Sequence, residues 1–210
     1  VQRTLLTMKA MTATSRAIAY ACAHAIDMAR AGEGAASSHW QERANLLTPI
    51  AKAYATDIGV EVASMGIQVH GGMGFIEETG AAQYLRDARI LPIYEGTNGI
   101  QALDLVGRKF LRDGGAAMAG LLSEIRGVAA TLDGSEYADI GMALARGVDA
   151  LEQAGEWLKS NLDGAGENAG AAAYNFLMLA GTVTGGWQLA VAAAAALRRL
   201  AAGGGNCDFL

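Results

Sequence analysis

The sequence predicts an all-α fold, a helical bundle followed by a smaller helical module. Apolar residues recur at steps of three and four through every long segment, and the alternation typical of strands is absent. There are 28 glycines and only 2 prolines, so the segments between glycine-rich breaks can be long helices. The 210 residues are 52% hydrophobic and 18% charged, a composition that can bury a sizeable core.

The first helix is predicted over about residues 5–30. Small or apolar side chains recur on one face, which should point into the core. Gly32 and Gly34 follow the last of these residues and are expected to end the helix. The residues of this face are Met8, Met11, Ser15, Ile18, Cys22, Ala25 and Ala29.

The second helix is predicted to begin at Thr48 as the N-cap, with Pro49 at the first helical position. Its end is expected in "HGGMGF", residues 70–75, because adjacent glycines cannot continue a helix stably. The predicted apolar face is Leu47, Ile50, Tyr54, Ile58, Val62, Met65 and Val69.

Two shorter helices complete the predicted bundle. The third is expected over about residues 80–89, and Pro92 should prevent its continuation. The fourth is expected to start at Thr97, a favourable N-cap, and to run to Arg112. Glu95 therefore falls in the connection just before a helix start. The predicted inner face of the fourth helix is Ile100, Leu103, Val106 and Phe110.

The sequence "DGG" at 113–115 is the predicted boundary between a bundle over residues 1–113 and a module over 114–210. Three helices are expected in the module, at about 116–131, 136–161 and 169–201, and the tail from residue 201 is expected to fray. The predicted face of the middle helix is Tyr137, Ile140, Leu144, Val148, Leu151, Gly155 and Leu158.

Residues 170–197 contain no charge and are long enough to span a bilayer. Many of them are alanine, which is much less lipophilic than leucine, and the stretch also contains polar residues and glycines. Gly181 and Gly185 have a GxxxG spacing, which permits close helix contact in water as well as in lipid. We therefore predict a buried helix and no membrane span, and keep a membrane-associated helical protein as an alternative.

Composition excludes several function classes. The net charge of −5 gives no footprint for nucleic acid or an anionic membrane. Cys22 and Cys207 lie near opposite ends and no His/Cys cluster is present, so no metal site is expected. A reducing cytoplasm suits this cysteine content, and we expect a cytoplasmic protein. The chain opens with Val1 rather than Met, which we interpret as a fragment or a processed product.

Two short stretches could carry chemistry. In "QVHGGMGF", residues 68–75, a helix breaks into glycines whose backbone can approach a phosphate closely, although an ordinary helix C-cap explains the same pattern. His70 alone is more typical of a helix end than of a ligand. In "YLRDARI", residues 84–90, Arg86, Asp87 and Arg89 form either a structural ion-pair set or part of a site, and we favour the ion pairs.

Glu95, in "ILPIYEGTNGIQ", is the candidate base. The apolar residues before it suggest a desolvated cavity, and burial would raise its pKa toward that of a usable base. The helix starting at Thr97 favours the anion instead, and an acid beside a helix N-terminus is also a common stabilising placement. Gly96 leaves room for a substrate beside the carboxylate. On residue chemistry alone the two interpretations stay open.

The stretches "QVHGGMGF", "YLRDARI" and "IYEGTNGIQ", in that order and separation, resemble the acyl-CoA dehydrogenase family over about residues 2–112. Residues from about 116 resemble the additional C-terminal helical module of a larger bacterial subgroup of that family. The resemblance implies the family's C-terminal helical bundle, truncated at its start, followed by that module. The resemblance also implies two upstream domains, one helical and one β, that this sequence does not include.

The resemblance also implies roles for particular residues. Glu95 matches the base that removes the α-proton of an acyl-CoA thioester while the β-hydrogen leaves as hydride to FAD, and Gly96 matches a substrate contact. The segment Gln68, Val69, His70, Gly71 and Gly72 matches a loop that meets the FAD of a neighbouring subunit. Thr97, Asn98 and Gly99 match a further FAD-contacting segment.

The resemblance implies as partners an acyl-CoA substrate, an electron-transferring flavoprotein and further copies of the chain in a homo-oligomer. Because most of the acyl pocket and of the flavin site would lie in the absent domains, we expect this chain alone to be inactive and to bind FAD weakly or not at all. The alternative from a different class is a non-catalytic helical interaction module that retains these motifs by descent.

Overall fold

The computed structural model describes residues 1–161 and 167–203. Every regular element within these residues is helical, which confirms the predicted all-α class. A 3₁₀ turn covers Glu77–Thr79 and a π-helical segment covers Asp104–Leu111. Cys207 and most of the tail that was expected to fray lie outside the described residues. The eight α-helices are α1 Gln2–Ala31, α2 Gly34–His70, α3 Gly72–Phe75, α4 Ala81–Ala88, α5 Asn98–Leu103, α6 Ala116–Thr131, α7 Ala138–Ser160 and α8 Glu167–Ala201.

Helices α1 and α2 form a long hairpin that is the scaffold of the bundle. The predicted inner face of α1 is correct from Ile18 onward, where every predicted position is buried. The predicted start of the second helix at Thr48 is wrong, because α2 begins at Gly34 and runs through Pro49. Proline removes one backbone donor, and the buried neighbours Leu47 and Ile50 stabilise the helix across that gap. The Thr48 hydroxyl donates to the Ala44 carbonyl, 2.7 Å away, instead of capping a helix.

The fourth predicted helix is present but changes type halfway. Thr97 is its N-cap, as predicted, and its Oγ1 accepts from the Ile100 amide. The predicted inner face is only half correct, since Val106 and Phe110 are buried while Ile100 and Leu103 are exposed. The π-helical segment that starts at Asp104 has a wider turn, so the apolar periodicity of an α-helix does not continue across it.

The last three helices have bounds close to the predicted ones. On α7 the predicted face is buried at Leu144, Val148, Leu151, Gly155 and Leu158, whereas Ile140 is exposed. Gly141 is buried instead and packs closely on α6. A Cβ at that position would lie 2.8 Å from the Ala129 carbonyl oxygen.

Helix α8 packs against α1, α2, α5, α6 and α7 and so joins the two parts of the chain. Its glycines allow this close packing, as predicted for the GxxxG spacing. A Cβ at Gly181 would overlap the Tyr54 ring of α2, and a Cβ at Gly185 would overlap the Thr14 side chain of α1.

Among the described residues, α8 alone is long and apolar enough to cross a membrane by length and composition. That is a weak signal, because core helices of proteins in water meet the same criteria. In α8 the residues turned toward the other helices include Phe176, Leu177, Ala180 and Val183, all of them buried.

One hydrophobic core extends through the bundle and the module. Its fully buried side chains include Ile18, Leu47 and Ile50 from the bundle and Leu121, Val148 and Leu177 from the module. An ion pair also links the two parts, because Arg43 of α2, with 6% of its side chain exposed, donates to both carboxylate oxygens of Glu124 on α6 at 3.0 and 2.6 Å. The boundary near residue 113 stays a prediction.

Candidate functional site

Glu95 lies in the connection between α4 and α5 in an uncommon backbone conformation. Its φ angle is +56°, the one positive φ at a non-glycine residue among the described residues, and Gly96 follows with φ +85°. A left-handed conformation costs a residue with a Cβ roughly 1–2 kcal/mol. Such strain persists only where the surrounding structure fixes it, and it is enriched at functional sites.

Polar contacts hold this loop on both sides of Glu95. The Gln101 side-chain amide donates to the Glu95 carbonyl at 3.2 Å. Lys52, on α2, donates from Nζ to the Gly96 carbonyl and to the Asn98 side-chain oxygen, each at 2.8 Å. The Asn98 amide N–H closes the loop by donating to the Pro92 carbonyl at 3.0 Å.

Asn98, predicted from the resemblance as an FAD contact, has its side chain turned into the protein. It is 6% exposed, and its Nδ2 donates to the Ala53 carbonyl at 3.1 Å and to the Thr56 hydroxyl at 3.0 Å. These contacts use both protons of the amide group, so its side chain supports the loop from the side of α2. Thr97 and Gly99 on either side of it are exposed.

The Glu95 side chain is exposed, so the expectation that it faces a desolvated cavity is wrong for this chain by itself. Apolar residues near it in the sequence are also exposed: Ile93 is 52% exposed, Tyr94 46%, Ile100 57% and Leu103 49%. An exposed carboxylate beside such residues becomes desolvated only when another surface covers it. Large exposed apolar patches mark interaction or ligand sites.

The glycine loop lies at the far end of α2. The helix ends at Gly71, whose φ of +63° and ψ of −145° favour glycine. His70 caps this end, as its residue type suggested, with Nδ1 2.7 Å from the Gly66 carbonyl oxygen. Gly74 is required for packing, since a Cβ there would overlap the Ile67 carbonyl, whereas Gly71 and Gly72 have open space beside them.

The two predicted cofactor segments are far apart in one chain. Asn98 contacts α2 at Ala53 and Thr56, and Gln68 lies twelve positions further along the same helix. At 1.5 Å per residue, the separation along α2 is about 18 Å. The structure therefore does not bring Gln68–Gly72 and Thr97–Gly99 together.

Both segments have features that fit a bound phosphate-containing cofactor. The open space beside Gly71 and Gly72 lets another group approach the backbone. The Thr97 hydroxyl accepts from the Ile100 amide, and in the described part of the chain no acceptor takes its proton, so it can donate outward. In residues 1–161 and 167–203 no group of three or more metal-ligating side chains is found.

The residues of "YLRDARI" make mostly local polar contacts. Arg86 lies 3.5 Å from Glu77 and donates to the Gln83 side chain, which in turn donates to Asp87. This agrees with a structural role, although the acidic partner of Arg86 is Glu77 and not Asp87.

Sequence reasoning missed Lys52, Thr56 and Gln101, which hold the loop. Lys52 and Thr56 lie on α2 between Ile50 and Ile58, where Asp57 is the other charged residue. A lysine two residues after Ile50, a position of the predicted apolar face, is a signal that could have been followed.

Comparison with known proteins defines the class. A family model described as acyl-CoA dehydrogenase, C-terminal domain, matches residues 1–110, and one described as acetyl-CoA dehydrogenase C-terminal like matches residues 121–210. The fold and these matches define a helical region of the kind found in acyl-CoA dehydrogenase C-terminal domains. The chain belongs to the acyl-CoA dehydrogenase family, which confirms the resemblance seen in the sequence.

Two relatives match nearly the whole chain. The chain is 46% identical over its whole length to 3-methylmercaptopropionyl-CoA dehydrogenase of Ruegeria pomeroyi, of which it covers 36%. It is 30% identical to the broad-specificity linear acyl-CoA dehydrogenase FadE5 of Mycobacterium tuberculosis, matching over 97% of this chain and 35% of that protein. The chain thus spans about a third of the length of these relatives.

A solved structure has a similar fold. The crystal structure of Caenorhabditis elegans ACDH-11 in complex with C11-CoA matches 89% of this chain and 31% of that chain, with a TM-score of 0.66 and 26% identity.

Proposed function

We propose that this chain is the C-terminal part of an FAD-dependent acyl-CoA dehydrogenase and that Glu95 is its catalytic base. In this role the Glu95 carboxylate removes the α-proton of an acyl-CoA thioester. The chemistry that FAD would supply when bound is acceptance of the β-hydrogen with its electron pair, which leaves an α,β-double bond. The observation that carries the proposal is a glutamate held in a left-handed conformation next to the exposed apolar residues Ile93, Tyr94 and Ile100.

The geometry accounts for the properties that a base of this kind needs. The polar contacts fix the backbone from which the Glu95 side chain projects, and Gly96 lets the Gln101 side-chain amide approach that backbone, because a Cβ at Gly96 would lie 3.1 Å from Gln101 Nε2. The apolar residues Ile93, Tyr94 and Ile100 would exclude water once an acyl chain or another part of the protein covers them. Removing water raises the basicity of a carboxylate, which suits it to proton abstraction near neutral pH.

We assign two FAD-contacting surfaces to the chain. Thr97 and Gly99 would contact the flavin on the Glu95 side. Asn98 would contribute its backbone to this contact, while its side chain anchors the segment to α2. Gln68, Val69, His70, Gly71 and Gly72 would contact the flavin of a second copy. The separation of about 18 Å along α2 supports a division between two copies. A homo-oligomer is therefore part of the proposal.

The remaining partners follow from family membership. An electron-transferring flavoprotein is the proposed acceptor of the electrons, and the cytoplasm is the proposed location. We also propose a bundle over residues 1–113 and a module over 114–210, because one family model ends at residue 110 and the other begins at residue 121.

The test is Glu95→Gln in the flavin-loaded enzyme that contains this chain, with Glu78→Gln as the matched control. Glutamine keeps the size and hydrogen bonding of the side chain but cannot accept the α-proton. Losing a positioned general base costs at least ~10²–10⁴-fold in turnover, with flavin and acyl-CoA binding retained. Glu78 is exposed in the 3₁₀ turn, and its substitution should leave turnover near that of the unmodified enzyme.

Retention of most of the turnover by Glu95→Gln would remove Glu95 from this role. If the enzyme bound neither flavin nor acyl-CoA and showed no dye reduction, the non-catalytic helical interaction module would be the better description.

A further inference from the structure

The backbone at Glu95 and Gly96 needs an external restraint. Two consecutive residues have positive φ angles, and only the second is a glycine. An unrestrained loop would let Glu95 return to an ordinary conformation, which would turn its carboxylate elsewhere. The restraint must therefore come from contacts made by the peptide groups of this pair.

Lys52 supplies the restraint that comes from outside the loop. It lies 44 positions before Gly96 on α2, and its ammonium group donates to the Gly96 carbonyl and to the Asn98 side-chain oxygen, each at 2.8 Å. Bonds from an ionised donor are shorter and stronger than those between neutral groups. Lys52 itself is partly buried, so its side chain has less freedom to lose on making them.

Asn98 and Thr56 complete the attachment. Asn98 donates to the Ala53 carbonyl and the Thr56 hydroxyl, and the Thr56 hydroxyl contacts the Lys52 carbonyl oxygen at 2.8 Å. Each end of the network is therefore on α2, a helix whose neighbouring residues Ile50, Ala53 and Tyr54 are buried in the core. The loop is therefore attached to a helix that is anchored in the core.

We propose that Lys52, supported by Asn98 and Thr56, is a positioning residue that holds the Glu95 carboxylate in its reactive direction. This inference rests on the proposed function. Lys52 binds the Gly96 carbonyl and acts on proton abstraction only through the backbone. We call this network of Lys52, Thr56 and Asn98 the Lys52 latch.

The test compares Lys52→Met with Lys9→Met in the flavin-loaded enzyme that contains this chain. Methionine keeps the length of the lysine side chain without its charge, and Lys9 is an exposed lysine on α1. A misplacement of about 1 Å can cost ~10²-fold in rate, so kcat should fall on the order of 10²-fold for Lys52→Met. The rate is compared per bound flavin, because Lys52 also contacts Asn98. The KM should stay unchanged, and the kinetic isotope effect with α-deuterated substrate should rise.

A second readout does not need turnover. Hydrogen exchange of the backbone amides in residues 95–101 should be faster in Lys52→Met than in Lys9→Met, with or without flavin. Lys52→Arg keeps the charge and a donor, and should restore part of kcat and of the exchange protection. A purely structural role would lower stability without this split between kcat and KM.

Equal kcat and equal loop exchange in Lys52→Met and Lys9→Met would overturn the proposal, as would faster exchange with an unchanged kcat. If Lys52→Met does not fold, Thr56→Val decides by the same measurements, since it removes one hydroxyl of the latch and keeps its shape. Failure of the proposed function is distinguishable, because Glu95→Gln would then retain turnover while Lys52→Met still raised loop exchange.

Discussion

The backbone of the Glu95 loop is held by polar contacts, whereas the backbone of α8 is held by close packing. The loop is exposed, is surrounded by apolar side chains that it does not bury, and is fixed by polar contacts from Lys52 and Gln101. Helix α8 is fixed by close contact, with Gly181 and Gly185 against side chains of α2 and α1. Polar contacts can hold a strained backbone open to a ligand, whereas close packing yields stability and leaves no space.

The largest effect on stability is expected at an ion pair between α2 and α6 whose arginine is buried. Glu124→Gln removes the charge that pairs with Arg43, whose side chain is 6% exposed, whereas that of Glu124 is 46% exposed. A hydrogen bond to a charged group contributes about 1.5–3 kcal/mol, so the free energy of unfolding should fall by roughly that amount in urea titration. Glu152→Gln, which weakens the exposed pair with Arg126, is the control and should change stability much less. Equal losses would mean that burial does not distinguish the two pairs.

A slightly smaller effect is expected from Gly185→Ala, which tests the close contact directly. The added methyl group would overlap Thr14, and overpacking of a core typically costs about 1–3 kcal/mol. The midpoint of thermal unfolding should fall accordingly. Gly120→Ala is the control, because its Cβ on α6 would meet nothing within 4 Å. That substitution should stabilise the protein by about 0.4–1 kcal/mol, and a loss of stability there would contradict the distinction.

Alkaline pH should weaken a polar contact that α8 makes with α2. Tyr174 donates to the Asp57 carboxylate at 2.9 Å. Partial burial and then this hydrogen bond raise the pKa of Tyr174 to about 12. Because the folded pKa is above the unfolded value of about 10, the contribution is fully present below pH 10 and is lost as pH rises toward 12.

Urea titrations between pH 8 and 11.5 would measure this loss. Tyr174→Phe should be less stable below pH 10 and should lose less stability above it. Tyr20→Phe, on the exposed side of α1, should follow the unmodified protein. An identical alkaline slope in Tyr174→Phe would show that this contact does not carry the pH dependence.

The smallest effect on stability is expected at the exposed apolar surface near Glu95. Ile100→Ser should change the free energy of unfolding by no more than about 0.5 kcal/mol, because the side chain is already 57% exposed. Self-association of the isolated chain, which this surface should promote, is expected to fall in light scattering at high concentration. Ile140→Ser, at an exposed position of α7, is the control. A strictly monomeric unmodified chain would contradict the expected association.

The comparison also explains what the sequence could predict. Apolar periodicity located α1, α6, α7 and α8, and it identified the buried face of α1 from Ile18 onward and most of that of α7, because burial of a face repeats along a regular helix. It failed where one helix passes through a proline, and where α5 changes into the π-helical segment, since neither event is encoded in the period. The bonds of the Lys52 latch join residues more than 40 positions apart, and a local pattern contains no information about them.

The same limit applies to the candidate site. Glu95, Gly96 and the glycine loop were recognised from short motifs, and the structure adds the left-handed conformation of Glu95, which no residue type requires. The inward direction of Asn98 could not be predicted, because it depends on acceptors supplied by Ala53 and Thr56 of α2, more than 40 positions away. The roles of these residues in catalysis and cofactor binding stay predictions.

The π-helical segment determines the direction in which the side chains on either side of it point. In an α-helix each residue advances about 100°, so one residue more or fewer turns everything beyond it by that angle. Asp104–Leu111 absorbs such a residue, and it separates the direction of Ile100 and Leu103 from that of Leu105 and Val106. Deleting Gly107, whose Cβ would meet nothing within 4 Å, would let an unbroken helix form. One of the two faces would then rotate away from its partner, so the wide turn sets the angle between the Glu95 loop and the core.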